Sequence, residues 1–283
     1  MFVNTIADFI TIRQPIYSLR YFFHTAFQGN QYHGWQRQSQ AISVQQVVED
    51  VLGRILKEPV TVMGCGRTDA QVHASQFFFH LDVKKEWDFD LLFRANKMLP
   101  NDIAIFEIIP VRDNQHARFD ATQRTYDYFI HLNKDPFLES SSSWYPLKKL
   151  DHDKMKEAVI LLLKYNDFRA FCKRPESYQH TLCKISSAKL FAAASGDRLR
   201  FQISADRFLG RMVRLLVGKL LQIGKGELSV YEFESYFVTK RTPQFFNPTY
   251  PQGLFLSKVT YPYLDIAPRA SVFSMGDNLW LEV

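Results

Sequence analysis

Two hydrophobic periodicities alternate along this chain in an order that occurs twice, and that order constrains the fold more than any single residue does. Residues 19–25 alternate, with Leu19, Tyr21 and Phe23 on one side and Arg20, Phe22 and His24 on the other, the period-two pattern of a strand. Ser43, with Gln46 three residues on, forms a capping box. Val44, Val47, Val48, Val51, Leu52, Ile55 and Leu56 then recur at helical spacing until Pro59 ends the run. Residues 60–63 read as a short strand, 76–83 as an alternating one, 88–99 as a helix stopped by Pro100, and 103–109 as a closing strand. The order is β-α-β-β-α-β, that of a ferredoxin-like unit.

The second half repeats it. Residues 122–132 are strand-like, with Tyr126, Tyr128, Ile130 and Leu132 on one face. A polar loop with four consecutive serines at 140–143 leads to a helix at 151–163. Strands near 182–191 and 199–204, a helix from about 207 to 223, another near 231–238 and a strand at 254–261 complete the pattern. The residues themselves do not repeat, so the duplication rests on element order. The expected fold is α+β: two ferredoxin-like βαββαβ units with mainly antiparallel sheets, joined side by side around an active-site cleft. Helices would cover one face of the sheet and leave the other free for a large ligand. The expected domains are an N-terminal extension (1–17), a first unit (18–118) and a second unit (119–283).

Composition narrows the partners. At 283 residues the chain suits two moderate domains. A net charge of +6 favours a polyanionic partner, and fits equally a basic protein with none. Aromatics at 15%, with 25 Phe, are more abundant than a core needs. Cys65, Cys172 and Cys183 form neither a disulfide framework nor a zinc pattern, which points to free thiols in a reducing compartment. No apolar run approaches the roughly 20 residues of a membrane span. Residues 1–15 lack a basic n-region and are interrupted by Asp8, so they do not read as a signal peptide. A cytoplasmic protein with no membrane association is expected.

The chemistry concentrates in Gly66-Arg67-Thr68-Asp69-Ala70-Gln71-Val72-His73-Ala74, a polar turn between two apolar strands. It sets a carboxylate two residues from a guanidinium. Taken alone, Arg67 and Asp69 fit a solvated ion pair or a turn cap as well as a site. In a site, Arg67 could keep Asp69 ionised or grip a phosphate. Tyr126 could stack on a base and exchange a proton, or be an ordinary half-buried strand tyrosine. On the late helix, Arg211, Arg214, Gly218, Gln222 and Lys225 fall along one stripe at about 100° per residue. That stripe is a cationic edge on an otherwise apolar helix. His24 and His73 have no second ligand pair at useful spacing, and nothing at recognisable spacing would activate Cys65.

The turn resembles the signature loop of the tRNA pseudouridine synthase A family, Gly-Arg-Thr-Asp-Ala-Gly-Val-His, with Gln71 in place of the second glycine. The resemblance continues in Gly34-Trp35-Gln36-Arg37 after Tyr32, in Leu99-Pro100 with Asp102-Ile103, and in His116-Ala117-Arg118-Phe119. It extends through Ala121-Thr122 and Arg124-Thr125-Tyr126-Asp127-Tyr128, then Asp167-Phe168 with Phe171. Phe208-Leu209, Met212-Val213-Arg214, Gly218 and Gly253-Leu254 complete it, in the family's order. The resemblance implies an isomerase that converts uridines on the 3′ side of the tRNA anticodon stem-loop to pseudouridine, without cofactor or metal, as a homodimer gripping one tRNA. It implies Asp69 as the essential carboxylate, supported by Arg67 and by Arg214 reaching across from the second unit. It also implies Tyr126 and Leu254 against the substrate, with Arg37, His116, Arg118, Lys173, Arg174 and Arg211 on the RNA. If residue 71 takes a positive φ, glutamine strains the turn; if φ is negative, the change is harmless.

Two other readings compete. A non-catalytic, duplicated RNA-recognition-like protein would need aromatic residues of the RNP type on a central strand, and neither half has them. A metal-dependent nuclease would need clustered carboxylates, and the neighbourhood of Asp69 offers one.

Overall fold

The computed structural model describes residues 19–147, 149–243, 247–269 and 280–283, so the extension expected at 1–17 lies outside the described residues. The elements run β1 (Leu19–Phe27), α1 (Val44–Leu56), β2 (Val62–Gly64), β3 (His73–Val83), α2 (Leu91–Met98) and β4 (Ile103–Val111). They continue with β5 (Gln123–His131), β6 (Ser143–Trp144), α3 (His152–Leu161), β7 (Ile185–Ala193) and β8 (Arg198–Ala205). α4 (Met212–Gly224), α5 (Val230–Thr239), β9 (Leu254–Thr260) and β10 (Trp280–Glu282) follow.

Among the described residues all the strands belong to one sheet, ordered β10-β7-β8-β5-β9-β3-β1-β4, with β2 beside β3 and β6 beside β5. The pairing is antiparallel except at β5–β6 and β3–β9. The molecule is thus a mixed α/β architecture on one large, mostly antiparallel sheet. The β3–β9 ladder is the seam between the halves. It registers His73 with Phe255 and Ala74 with Leu256, so the halves meet where the Gly66–His73 turn ends. Each half has its own apolar core, one around α1 and α2, the other around α3, α4 and α5.

The helices follow their local signals with instructive exceptions. Ser43 caps α1 as its capping-box position predicts, its hydroxyl accepting from the Gln46 N–H. α2 is shorter than the expected 88–99 because Asp90 takes the N-cap and accepts from Phe93 N–H at 2.9 Å. α4 starts at Met212 and not near 207. Arg211 is left-handed, φ 64°, and Gly210 N–H is already bonded to the Tyr178 hydroxyl. Arg211 therefore leaves the expected cationic stripe, and Lys225 becomes the C-cap. The serine loop, read as irregular, contains β6.

Strand β3 is buried along nearly its whole length rather than on alternate residues. Phe77 and Phe79 pack with Trp35 on one face. On the opposite face Phe22 and Phe78 meet Tyr261 edge-on, and Gln76 bonds the Ile266 carbonyl. The face expected to stay open is therefore closed, over β1 and β3, by the chain after β9. Continuous burial of this kind is what a strand covered on both sides requires. Among the described residues no helix is long and apolar enough to cross a membrane.

Candidate active site

The turn between β2 and β3 is held from both halves. On its own side, Gln71 N–H donates to the Tyr32 carbonyl at 3.0 Å, and Trp35 N–H donates to Thr68 Oγ1 at 3.0 Å. Gly34 makes this approach possible. It has φ +85°, and a Cβ there would lie 2.2 Å from the Thr68 carbonyl oxygen. From the second half, Arg124 on β5 donates to the carbonyl of Cys65 at 2.7 Å and of Arg118 at 2.9 Å, and also bonds Ala121 and Asp206. One guanidinium thus ties the turn to three neighbouring segments. Gln71 takes φ 64°, which decides the alternative left open by the sequence: glutamine sits in the left-handed region.

This anchoring presents Asp69 to a cleft of about 710 Å³ between the halves. Arg67, Asp69, Arg118, Tyr126, Arg211 and Leu254 all line it. Arg214, in the first turn of α4, approaches Asp69 from behind, Nη1 to Oδ2 3.4 Å. Its Nε donates to the Thr249 carbonyl at 2.6 Å, so the guanidinium is fixed before any ligand arrives. The Arg214 side chain is 11% exposed and that of Asp69 38%, a buried cation behind a carboxylate open to the cleft. Burial pushes the Arg214 guanidinium down from its usual value, and Asp69 opposes that shift. Among the described residues the ion partner of Asp69 is Arg214, not its near neighbour Arg67.

Tyr126 forms part of the wall, half-buried, its ring edge-on to Phe208 at 5.0 Å. Burial raises its phenol far above the ordinary value, so it stays protonated. Its face-mates Tyr128 and Ile130 belong to the core. Cys65 is fully buried and pushed up to about 11 by burial, which keeps the thiol neutral and inert.

Four of the expected RNA contacts lie outside the lining of the cleft. Arg37 is paired to Glu49 at 2.9 Å and lies near Asp50. His116 is turned into a hydrogen-bonded turn next to the cleft. Lys173 and Arg174 are exposed just before a 3-10 turn at Pro175–Ser177. What reaches the cleft from that loop is Tyr178, whose hydroxyl bonds Gly210. Tyr178, Phe208 and Phe119, rings that line the cleft, are absent from the residues expected from the sequence because that reading favoured cations over rings; Arg124 is absent from them as well. Arg124 was findable, since on β5 it shares the face of Tyr126 two residues on. Among the described residues no group of three or more His, Cys, Asp or Glu is placed to hold a metal ion.

Residues 158–262 match a family model described as tRNA pseudouridine synthase. The chain is 39% identical over 246 residues to tRNA pseudouridine synthase A of Porphyromonas gingivalis, covering 86% of this chain and 97% of that protein. It is 40% identical over 245 residues to the protein of the same name from Azobacteroides pseudotrichonymphae, covering 86% and 97%. With that of Gloeobacter violaceus it shares 36% over 237 residues, covering 83% and 77%. Taken with the cleft and the turn that supplies its carboxylate, this likeness over nearly the whole length shows that the chain belongs to the tRNA pseudouridine synthase A family.

Proposed function

We propose that this protein isomerises uridine to pseudouridine in tRNA, with Asp69 as the essential carboxylate. The observation that carries the reading is the Asp69–Arg214 pair, drawn from opposite halves and facing a cleft walled by Tyr126. In the reaction the bond from uracil N1 to the sugar C1′ breaks, the base turns, and C5 bonds to C1′; the C5 proton passes to solvent and N1 takes one up in exchange. No atom is gained or lost, so no oxidant or group donor is required.

The residues have separable duties. Arg214 holds the Asp69 carboxylate in place at the cleft, its own guanidinium fixed by the Thr249 carbonyl. Tyr126 stacks on the extruded base and keeps the detached uracil from diffusing away. Leu254 supplies apolar wall next to it. Arg67, Arg118 and Arg211 line the same cleft and attract phosphates. Lys173 and Arg174, exposed nearby in the chain from Tyr178, extend that basic surface, and Arg37 and His116 act at its edge.

The finer reading takes residues 18–118 and 119–283 as two ferredoxin-like units. The strand orders β4-β1-β3-β2 and β9-β5-β8-β7 support it, since each is the order of such a unit. The family resemblance supports uridines on the 3′ side of the anticodon stem-loop as targets, a homodimer on one tRNA, and a cytoplasmic site of action.

The test is tritium release from tRNA labelled at uracil C5, for the wild type and Asp69→Ala, each with and without EDTA. Release by the wild type, with a loss of at least about a thousandfold in the variant and retained RNA binding, is the expected result. The thousandfold loss corresponds to roughly 4 kcal/mol of barrier. Equal release by both proteins would remove Asp69 from the reaction. Release that vanishes only in EDTA would replace this reading with a metal-dependent one.

A further inference from the structure

The turn 116–120 is unusually well fastened for a segment that exposes a large ring. His116 Nδ1 accepts from the N–H groups of Arg118 at 3.0 Å and Phe119 at 3.2 Å. The Asp120 carboxylate accepts from His116 N–H at 2.7 Å and from the Tyr263 hydroxyl at 2.8 Å. Ala117 donates its N–H to His80 Nδ1 at 3.2 Å, and its carbonyl accepts from the Tyr261 hydroxyl at 2.6 Å. Arg124 adds its bond to the Arg118 carbonyl. Side chains from β3, β5 and the chain after β9 therefore hold this turn, yet the ring it carries, Phe119, is 75% exposed.

That ring stands at the cleft, among its lining residues. One side is occupied by the His116 imidazole, with centroids 4.3 Å apart, and the Arg118 guanidinium lies 5.8 Å from its centroid. Tyr126 and Phe208 form a second, more buried aromatic tier in the same cleft. An exposed phenylalanine on a rigid turn is preorganised for a flat apolar surface and gains nothing in the free protein. Its cationic surroundings, Arg118 with Arg67, Arg124, Arg207 and Arg211 in the same lining, fit a base carried on a phosphate backbone better than an apolar protein face.

Resting on the isomerase reading above, we infer that Phe119 is a stacking platform for the RNA base next to the target uridine, receiving the face that base loses when the uridine is extruded into the Tyr126 tier. Extrusion breaks the stack on each side of the flipped nucleotide, and a protein ring that replaces one of them lowers the cost of the flipped state. His116 is then a positioning residue, which accounts for a family-motif histidine that lies outside the lining.

The experiment uses the full chain and an anticodon stem-loop RNA carrying 2-aminopurine beside the target uridine. Wild type, Phe119→Ala, Phe119→Leu and Phe119→Trp are compared for RNA affinity, fluorescence quenching on binding, tritium release and melting temperature. Phe119→Ala is expected to weaken binding and raise KM roughly ten- to a hundredfold, the range of one base–aromatic stack, with kcat changed less. Quenching should be lost in Phe119→Ala and Phe119→Leu and restored in Phe119→Trp. Melting temperatures should stay close together because the ring is exposed. Unchanged quenching in Phe119→Ala, or full recovery by leucine, would overturn the proposal. So would a change confined to oligomeric state, which would mark a protein contact instead. Wild-type quenching that depends on Phe119 without tritium release would sink the isomerase reading and leave the stacking role standing.

Discussion

Gln71 holds φ 64° in the turn that presents Asp69, where the family loop has glycine. A side chain in that region costs about 1 kcal/mol or somewhat more, and a glycine would return part of the gain through its freer unfolded chain. The Gln71→Gly variant should therefore be more stable by about 0.5 kcal/mol, with turnover within about tenfold of wild type, a barrier change of about 1.4 kcal/mol. Chemical denaturation and single-turnover tritium release measure the two separately. A gain of roughly a hundredfold in turnover would show that the natural loop is impaired. Gln71 is exposed and absent from the cleft lining, so its effect on chemistry passes through the backbone of the turn. That Arg67, Asp69, Tyr126, Arg214 and Leu254 belong near one another was legible in the sequence, and they converge in or behind one cleft. The sign of φ at residue 71 was not, because either sign suits a polar turn until its N–H is given a partner.

At the scale of elements, strand β5 does most to assemble the site. It places Tyr126 in the cleft and Arg124 on four carbonyls from both halves, while Tyr128 on the same face bonds Ser143 and the Tyr250 carbonyl. Replacing Arg124 with alanine leaves those carbonyls without their charged donor. The expected cost is about 2–3 kcal/mol of stability. A loss of kcat of at least about tenfold should accompany it, as the turn bearing Asp69 loosens, equal to about 1.4 kcal/mol of barrier. Thermal melts and steady-state kinetics would check both, and a variant that melts early but turns over normally would show that Arg124 is structural only. Element types were readable because periodicity is local. Element ends were less so, as α4 illustrates. Residues 207–211 carry a helical pattern, but the Arg207 N–H is bonded to the Asp206 carboxylate and the Gly210 N–H to the Tyr178 hydroxyl. The same carboxylate accepts from the Lys184 N–H. No pattern within the helix itself reports such distant partners.

Across the whole molecule, the seam and the closed face of the sheet depend on neutral histidines. His73, at the β3–β9 seam, accepts from Gly29 N–H and stacks on Phe255 at 4.4 Å. His80, on the face covered by the chain after β9, accepts from Ala117 N–H. Burial lowers both from 6.5 to about 4. Unfolding therefore takes up protons below about 6.5. The stability these residues contribute is complete above that value and is lost as pH falls towards about 4. Within that window each histidine should lower the unfolding free energy by up to about 1.4 kcal/mol per pH unit. Urea midpoints measured between pH 7.5 and pH 4.5 test this, at roughly constant ionic strength. A flat profile over that range would mean that neither imidazole is held neutral by the fold.

The sequence by itself determined the kinds of elements and their repeated order, the turn that carries the carboxylate, and the family, because these reside in local spacing and in residues near one another in the chain. The tertiary structure alone decided that Asp69 meets Arg214 rather than Arg67, a contact between residues 145 positions apart. It also decided that the chain after β9 closes the face of β1 and β3, and that Phe119 remains exposed on a fastened turn. These outcomes depend on which strands become neighbours. Strand neighbours are selected by the burial of two cores and the pairing of β3 with β9, neither of which any local pattern contains.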